Sequence, residues 1–233
     1  DRLSSGIKEL DRALGGGFVA GSATLIGGDP GIGKSTLLLQ ASARLAKEGK
    51  SVAYISGEEA SAQVRMRALR LGLTDAPVAL AAETTLRDIL TTLDAERPGL
   101  AIIDSIQTMW LDSVEAAPGS VSQVRAACHE LVTFAKRRGV AIILVGHVTK
   151  DGSLAGPKVL EHMIDCSLML EGSSDSHFRT LRSNKNRFGA VNELGVFAMT
   201  DKGLKEVANP SAIFLQRGEE VSSGSVVMVV WEG

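Results

Sequence analysis

The sequence predicts an α/β fold: a mostly parallel twisted sheet with helices on both faces and an antiparallel C-terminal extension. Three observations carry this. Short, continuously apolar runs alternate with helical patterns, as parallel strands buried on both faces require. A glycine-rich loop, Gly28-Asp29-Pro30-Gly31-Ile32-Gly33-Lys34-Ser35, joins one such run to a helix. After about residue 165 the helical patterns cease and strand-like runs follow one another.

The elements read as follows. Leu3 to Asp11 leads into a helical turn that Gly15-Gly16-Gly17 ends. Residues 23–26 form the first buried strand, and 36–47 a helix with Leu38, Leu39, Ala41, Leu45 and Ala46 as apolar positions and Gly49 as its stop. A strand at 52–55 precedes a helix at 62–71, capped by Ser61 and stopped by Gly72. Residues 77–81 are a short strand, and 86–93 a helix opened by a capping box of Thr85 and Asp88. A strand at 100–103 follows. The longest helix covers 121–138, with Ser120 and Gln123 as a second capping box and Gly139 just past its end. Beyond a strand at 140–145, the runs 166–170, 178–182, 196–199 and 203–207 build the antiparallel extension, with Asp201-Lys202-Gly203 as a turn.

With 233 residues, 44% hydrophobic and 22% charged, the chain suits one large α/β domain with at most a small appendage. No apolar run approaches the roughly 18 residues of a membrane span, and no signal segment opens the chain. Cys128 and Cys166 lie far apart inside apolar segments and read as buried, reduced thiols. These features predict a cytoplasmic protein with no membrane partner. No Cys/His set has zinc spacing. A net charge of −2 means that any DNA contact comes from a local patch or from assembly. The chain begins at Asp1 and ends just after the strand-like run 226–231, so it is expected to be part of a longer protein.

The loop at 28–35 fits the phosphate-binding pattern G-x-x-x-x-G-K-[ST]. A strand that turns through glycines into a helix aims several backbone N–H groups at one point, where the helix dipole also favours an anion. Glycine permits the close wrapping that a Cβ would forbid. Lys34 then reaches the β- and γ-phosphates and the Ser35 hydroxyl ligates Mg²⁺. The nucleotide-binding set is Gly28, Asp29, Pro30, Gly31, Ile32, Gly33, Lys34, Ser35 and Thr36, and the expected cofactors are ATP or ADP with Mg²⁺. Asp104, ending the strand at 100–103, has the form of a Walker B carboxylate that holds the metal through water. Glu58 and Glu59 follow the strand at 52–55. One of them is placed to polarise a water for attack on the γ-phosphate. His147 ends another buried strand and is either a γ-phosphate sensor or a core histidine with satisfied nitrogens. Arg179, Arg182, Lys185 and Arg187 form either a solvated basic edge strand or cations presented on a turn to a neighbouring subunit's phosphates.

Four segments together resemble the bacterial RadA (Sms) family of RecA-type ATPases: residues 25–36, Ile55-Ser56-Gly57-Glu58-Glu59, Ala155-Gly156-Pro157-Lys158-Val159-Leu160-Glu161-His162 and Lys185-Asn186-Arg187-Phe188-Gly189. The resemblance implies a RecA-like P-loop NTPase domain over residues 1–220, with 221–233 beginning a truncated C-terminal region. It implies a hexameric ring that binds single-stranded and branched DNA, drives branch migration and works with the RecA recombinase. Glu58 would be the catalytic glutamate. Lys185 and Arg187 would reach ATP across a subunit interface, and residues 110–119 and 150–158 would face the channel. The family's zinc finger and Lon-like domain do not occur in this sequence. Two rivals stand beside this reading. Circadian-clock ATPases share the phosphate loop and the paired glutamates, but the K-N-R-F-G turn and the single ATPase repeat argue against them. A nucleotide-gated binding module would use ATP only to assemble a ring.

Overall fold

A computed structural model describes residues 2–73, 75–150, 155–172 and 175–207. Two short antiparallel strands, β1 (Arg2–Leu3) and β2 (Phe18–Val19), flank helix α1 (Lys8–Leu14). The main sheet contains β3 (Ala23–Gly28), β4 (Val52–Ser56), β5 (Ala79–Ala82), β6 (Leu100–Asp104), β7 (Ala141–His147), β8 (Cys166–Glu171), β9 (Phe178–Asn186), β10 (Leu194–Thr200) and β11 (Gly203–Glu206). Helices α2 (Lys34–Lys47), α3 (Ser61–Arg70), α4 (Leu86–Glu96) and α5 (Val121–Arg138) connect the parallel part.

Across the sheet the order is β11-β10-β9-β8-β3-β7-β6-β4-β5. The strands from β8 to β5 run parallel, and β9 to β11 continue antiparallel from β8. Strands β3, β4 and β6 are buried along their whole length, and β7 up to His147. Their side chains alternate between two cores. Tyr54, Ile102 and Ile143 pack with α1 and α2 on one face; Ile55, Ile103 and Leu144 pack with α4 and α5 on the other. This period of two on a doubly covered sheet is why those runs read as continuously apolar.

Register decides where chemistry gathers. Gly28 pairs with His147, Asp104 with Val145 and Ser56 with Asp104. The C-terminal ends of four strands therefore lie level along one edge of the sheet. Ligands of open α/β sheets collect at such an edge.

Several local expectations are corrected. Helix α3 begins at Ser61 itself, and the preceding Ala60 N–H is capped by the Gln63 side chain at 3.1 Å. Thr85 makes no side-chain cap; the Leu86 N–H instead donates to the Trp110 carbonyl at 2.9 Å, a long-range contact that replaces a local one. Ser120 accepts from the Gln123 N–H, but the Gln123 side chain leaves the helix to bind residues 111–116. Strand β9 is interior, between β8 and β10, so the basic run is no solvated edge: Arg179 is buried. Lys185 and Asn186 end β9 rather than sitting on a turn. Strands β1 and β2, two residues each, leave no periodic signal. Cys128 and Cys166 are buried free thiols, both pushed up to about 12 by burial. The expected strand at 226–231 and the boundary near 220 lie outside the described residues.

Candidate functional site

The phosphate loop leaves β3 at Gly28 and re-enters regular structure at Lys34, the first residue of α2. Gly33 has φ +120°, and a Cβ there would meet the Met199 side chain at 2.8 Å, so only glycine fits this step. Arg179, reaching over from β9, donates from Nε to the Ile32 carbonyl at 3.0 Å and braces the loop from behind. Sequence reading had no means of finding that brace, which spans most of the chain.

Lys34 is buried, and its Nζ donates to the Gly28 and Asp29 carbonyls at 2.5 and 2.8 Å. Burial lowers its pKa to about 8, against the attraction of Asp104, Asp29 and Glu58. The Ser35 hydroxyl donates to Asp104 Oδ2 at 2.6 Å, and the phenol of Tyr54, the chain's single tyrosine, donates to the same oxygen at 2.5 Å. Burial and the Asp104 carboxylate hold the Tyr54 phenol well above its ordinary pKa, so it remains a donor. The other oxygen, Asp104 Oδ1, is buried without a hydrogen-bond partner among the described residues.

That orphaned oxygen beside a serine hydroxyl suits a hard, oxygen-loving cation such as Mg²⁺, held by Ser35 and, through water, by Asp104. When bound, the ion would neutralise charge on the β- and γ-phosphate oxygens. Ligand atoms of Glu58, Asp104 and His147 also lie within 4.8 Å of one another. An imidazole nitrogen is a poor Mg²⁺ ligand, so His147 stands outside that donor set.

Glu58 and Glu59 part company in the structure. Glu58 Oε1 meets His147 Nε2 at 2.7 Å and accepts from the Ser105 hydroxyl at 2.9 Å. The hydrogen bond with His147 is the largest cause of its lowered pKa; burial opposes the shift, and Ser105 and Lys34 add to it. Glu59 does not meet His147; it pairs with Arg67 of α3 at 3.0 Å, and both line the same pocket as Glu58. Gly57 makes the close passage possible, since a Cβ there would lie 2.1 Å from the Thr108 hydroxyl. Among the described residues His147 Nδ1 is buried without a partner, unlike a core histidine with both nitrogens satisfied. A pocket of about 350 Å³ opens over this cluster, lined by Lys34, Ser35, Thr36, Glu58 and His147 among others.

Lys185 and Arg187 lie elsewhere. Asn186 is in register with Cys166, and Cys166 with Thr24, at the opposite edge of the sheet from Gly28. Arg187 pairs with the buried Asp165 carboxylate at 2.9 Å, which also accepts the Ala23 N–H at 2.9 Å. The Lys185 ammonium donates to the Glu161 carbonyl at 2.7 Å. From Ala23 to Gly28 is roughly 16 Å of strand. Neither cation reaches the phosphate loop of its own chain. Of the polar groups not singled out in sequence, Ser105 follows Asp104 directly and Tyr54 is a lone phenol in an apolar strand. Gln107 carried no signal at all.

This fold and pocket define an ATPase domain of the P-loop class with a RecA-like sheet. Residues 1–153 match the family described as AAA domain, and the chain belongs to that family. It is 63% identical to the DNA repair protein RadA of Salmonella typhimurium over 232 residues, 100% of this chain but 50% of that protein. The chain thus spans half the length of this RadA relative, and the resemblance to the bacterial RadA family holds along all of it. Among solved structures, the RadB recombinase superposes with a TM-score of 0.66 at 24% identity, over 88% of this chain and 99% of that one. A KaiC-like protein from Pyrococcus horikoshii gives 0.70 at 21% identity, over 89% and 99%. At such identities both show the shared RecA-like fold alone. Among the described residues no helix is long and apolar enough to cross a membrane.

Proposed function

We propose that the chain is the ATP-hydrolysing core of a DNA motor in recombinational repair, acting on single-stranded and branched DNA as a hexameric ring. The observation that carries this reading is the convergence of Lys34, Ser35, Asp104, Glu58 and His147 at one sheet edge. In it, Lys34 and the loop amides hold the triphosphate and Ser35 with Asp104 holds the metal. Glu58 orients the attacking water, and His147 senses the γ-phosphate. The kinship with RadA supports the DNA substrate, branch migration and work beside RecA. Turnover with and without single-stranded DNA separates a motor from a module that uses ATP only to assemble.

Lys34 provides the direct test. With its pKa near 8, part of the Lys34 population is neutral above that pH, whereas a bound triphosphate favours the ammonium. Nucleotide binding should then take up a proton, and Kd should rise with pH above about 8, by at most about tenfold per unit. Lys34→Ala should abolish both the proton uptake and the stabilisation by nucleotide, which for a competent site at 100 times Kd is about 2.7 kcal/mol. Calorimetry in two buffers of different ionisation enthalpy measures this. A Lys34→Ala chain that still binds ATP with wild-type affinity would remove the site.

DNA contact is assigned to Lys150 and Lys158, both exposed and flanking residues 151–157. Single-strand affinity falls with log salt by about 0.7 per phosphate neutralised, so removing both lysines should flatten the slope by about 1.4. Basal ATP turnover should change little. An unaltered slope in a salt titration places the DNA elsewhere.

A further inference from the structure

A second buried polar cluster lies behind the nucleotide pocket, built on Gln107. This residue sits in the short 3-10 turn Ile106–Thr108 that follows β6, and it is 2% exposed. Its side-chain oxygen accepts the His147 N–H at 3.1 Å. Its side-chain nitrogen donates to the His147 carbonyl at 2.9 Å and to the Ala155 carbonyl at 3.2 Å. On the other side of β7, the Val148 N–H donates to the Gly28 carbonyl at 3.0 Å. The end of β7 is therefore held between the phosphate loop and Gln107.

The chain of contacts continues outward. The Ala155 N–H donates to the Gly119 carbonyl at 2.8 Å, which links the two segments that the family resemblance turns toward the channel, 150–158 and 110–119. A second buried glutamine, Gln123 of α5, binds the Leu111 N–H and the carbonyls of Leu111, Val114 and Ala116 at 2.9–3.1 Å. Residues 111–116 are thereby fastened to a long helix.

We propose that Gln107 is the positioning residue that couples the nucleotide pocket to both DNA-facing segments. When His147 shifts toward a γ-phosphate, its backbone carries the Gln107 amide with it, and Ala155 and Gly119 follow. Only a side chain with a donor and an acceptor can bind an N–H and two carbonyls at once. An apolar replacement takes this partner from the His147 N–H and from the His147 and Ala155 carbonyls, and leaves the two ends free of each other. This rests on the reading that ATP occupies the phosphate loop and DNA the two segments. Gln107 itself touches neither.

The experiment measures coupling rather than rate. In the full chain, the affinity for a labelled oligothymidylate is compared with ADP and with a non-hydrolysable ATP analogue bound. Linkage requires the oligonucleotide to change the analogue's affinity, relative to that of ADP, by the same factor. The wild type should show a factor in the range of about 5–150, and Gln107→Met, matched in size, should bring it below about 2. A Gln107→Met chain that folds and keeps the wild-type factor overturns the proposal, as does a wild type that binds DNA without coupling. A second measurement covers a variant that fails to fold. In the wild type, hydrogen exchange of the Ala155 amide should differ between ADP and the analogue with no DNA present; equal protection also overturns the relay. If the wild type binds no DNA, the reading of the two segments fails, and exchange at Ala155 alone decides for or against Gln107.

Discussion

Arg187→Ala subunits should bind ATP and turn it over about 10³ to 10⁵ times more slowly than wild type, the contribution of arginines that act on a neighbour's nucleotide. Arg187 is anchored at the start of β3 through Asp165, while the phosphate loop lies at its end, so the ATP of its own chain is out of its range and a role in hydrolysis requires a second subunit. Its side chain is 57% exposed, which leaves it free to exchange Asp165 for a phosphate. Deleting it also takes a partner from a buried carboxylate, a loss of about 1.5–3 kcal/mol for a hydrogen bond to a charged group. A thermal melt must accompany the rate. Lys185→Ala serves as a second probe of the same face, because among the described residues Lys185 binds the Glu161 carbonyl and no buried carboxylate.

Subunit mixing separates lost chemistry from lost fold. Arg187→Ala mixed with Glu58→Gln yields some interfaces with one intact Glu58 and one intact Arg187. Activity absent from either variant should return in the mixture, and unfolded Arg187→Ala could not supply it. A monomer with full wild-type turnover would exclude a composite site.

Glu58→Gln should bind ATP and assemble normally but hydrolyse about 10² to 10⁴ times more slowly, the usual contribution of a positioned base. Glutamine keeps the size of Glu58 and can still accept from Ser105, but it cannot take charge from the water. Glu59→Gln should remain active, since Glu59 is engaged with Arg67 on α3. The pH profile adds a signature. The hydrogen bond with His147 holds the Glu58 carboxyl below its usual range, so the acid limb of wild-type turnover should lie low. His147→Ala should move that limb upward, toward an ordinary glutamate. Single-turnover hydrolysis against pH reads both effects, and an inactive Glu59→Gln beside an active Glu58→Gln would reverse the assignment.

Legibility in the sequence followed the range of the interactions. The phosphate loop could be read because a strand, its glycines, Lys34, Ser35 and the helix are contiguous, and one turn of backbone builds the anion site. Asp104 and His147 could be read as strand ends, and Glu58 as lying just beyond one, because an apolar run of about five residues reports its own boundary. Capping was harder. Thr85 and Asp88 have the right spacing, yet the Trp110 carbonyl claims the Leu86 N–H, and no local pattern contains Trp110. The basic run at 179–187 was divided by the fold: Arg179 braces the phosphate loop, Lys185 and Arg187 mark the far edge, and composition alone cannot tell these apart.

By itself the sequence determined the strand and helix types, the phosphate loop and the residues that end the inner strands. Each of these is set by backbone preference, glycine geometry and apolar periodicity over a few neighbouring positions. Tertiary structure alone decided the strand order and register, and register is what brings Gly28, Asp104 and His147 level at one edge. It also decided that Glu58 rather than Glu59 meets His147, that Tyr54 supports Asp104, and that Gln107 joins β7 to residue 155. Those contacts join residues up to nearly ninety positions apart, and they form only when the folded sheet brings the groups together and limits the water that competes for them.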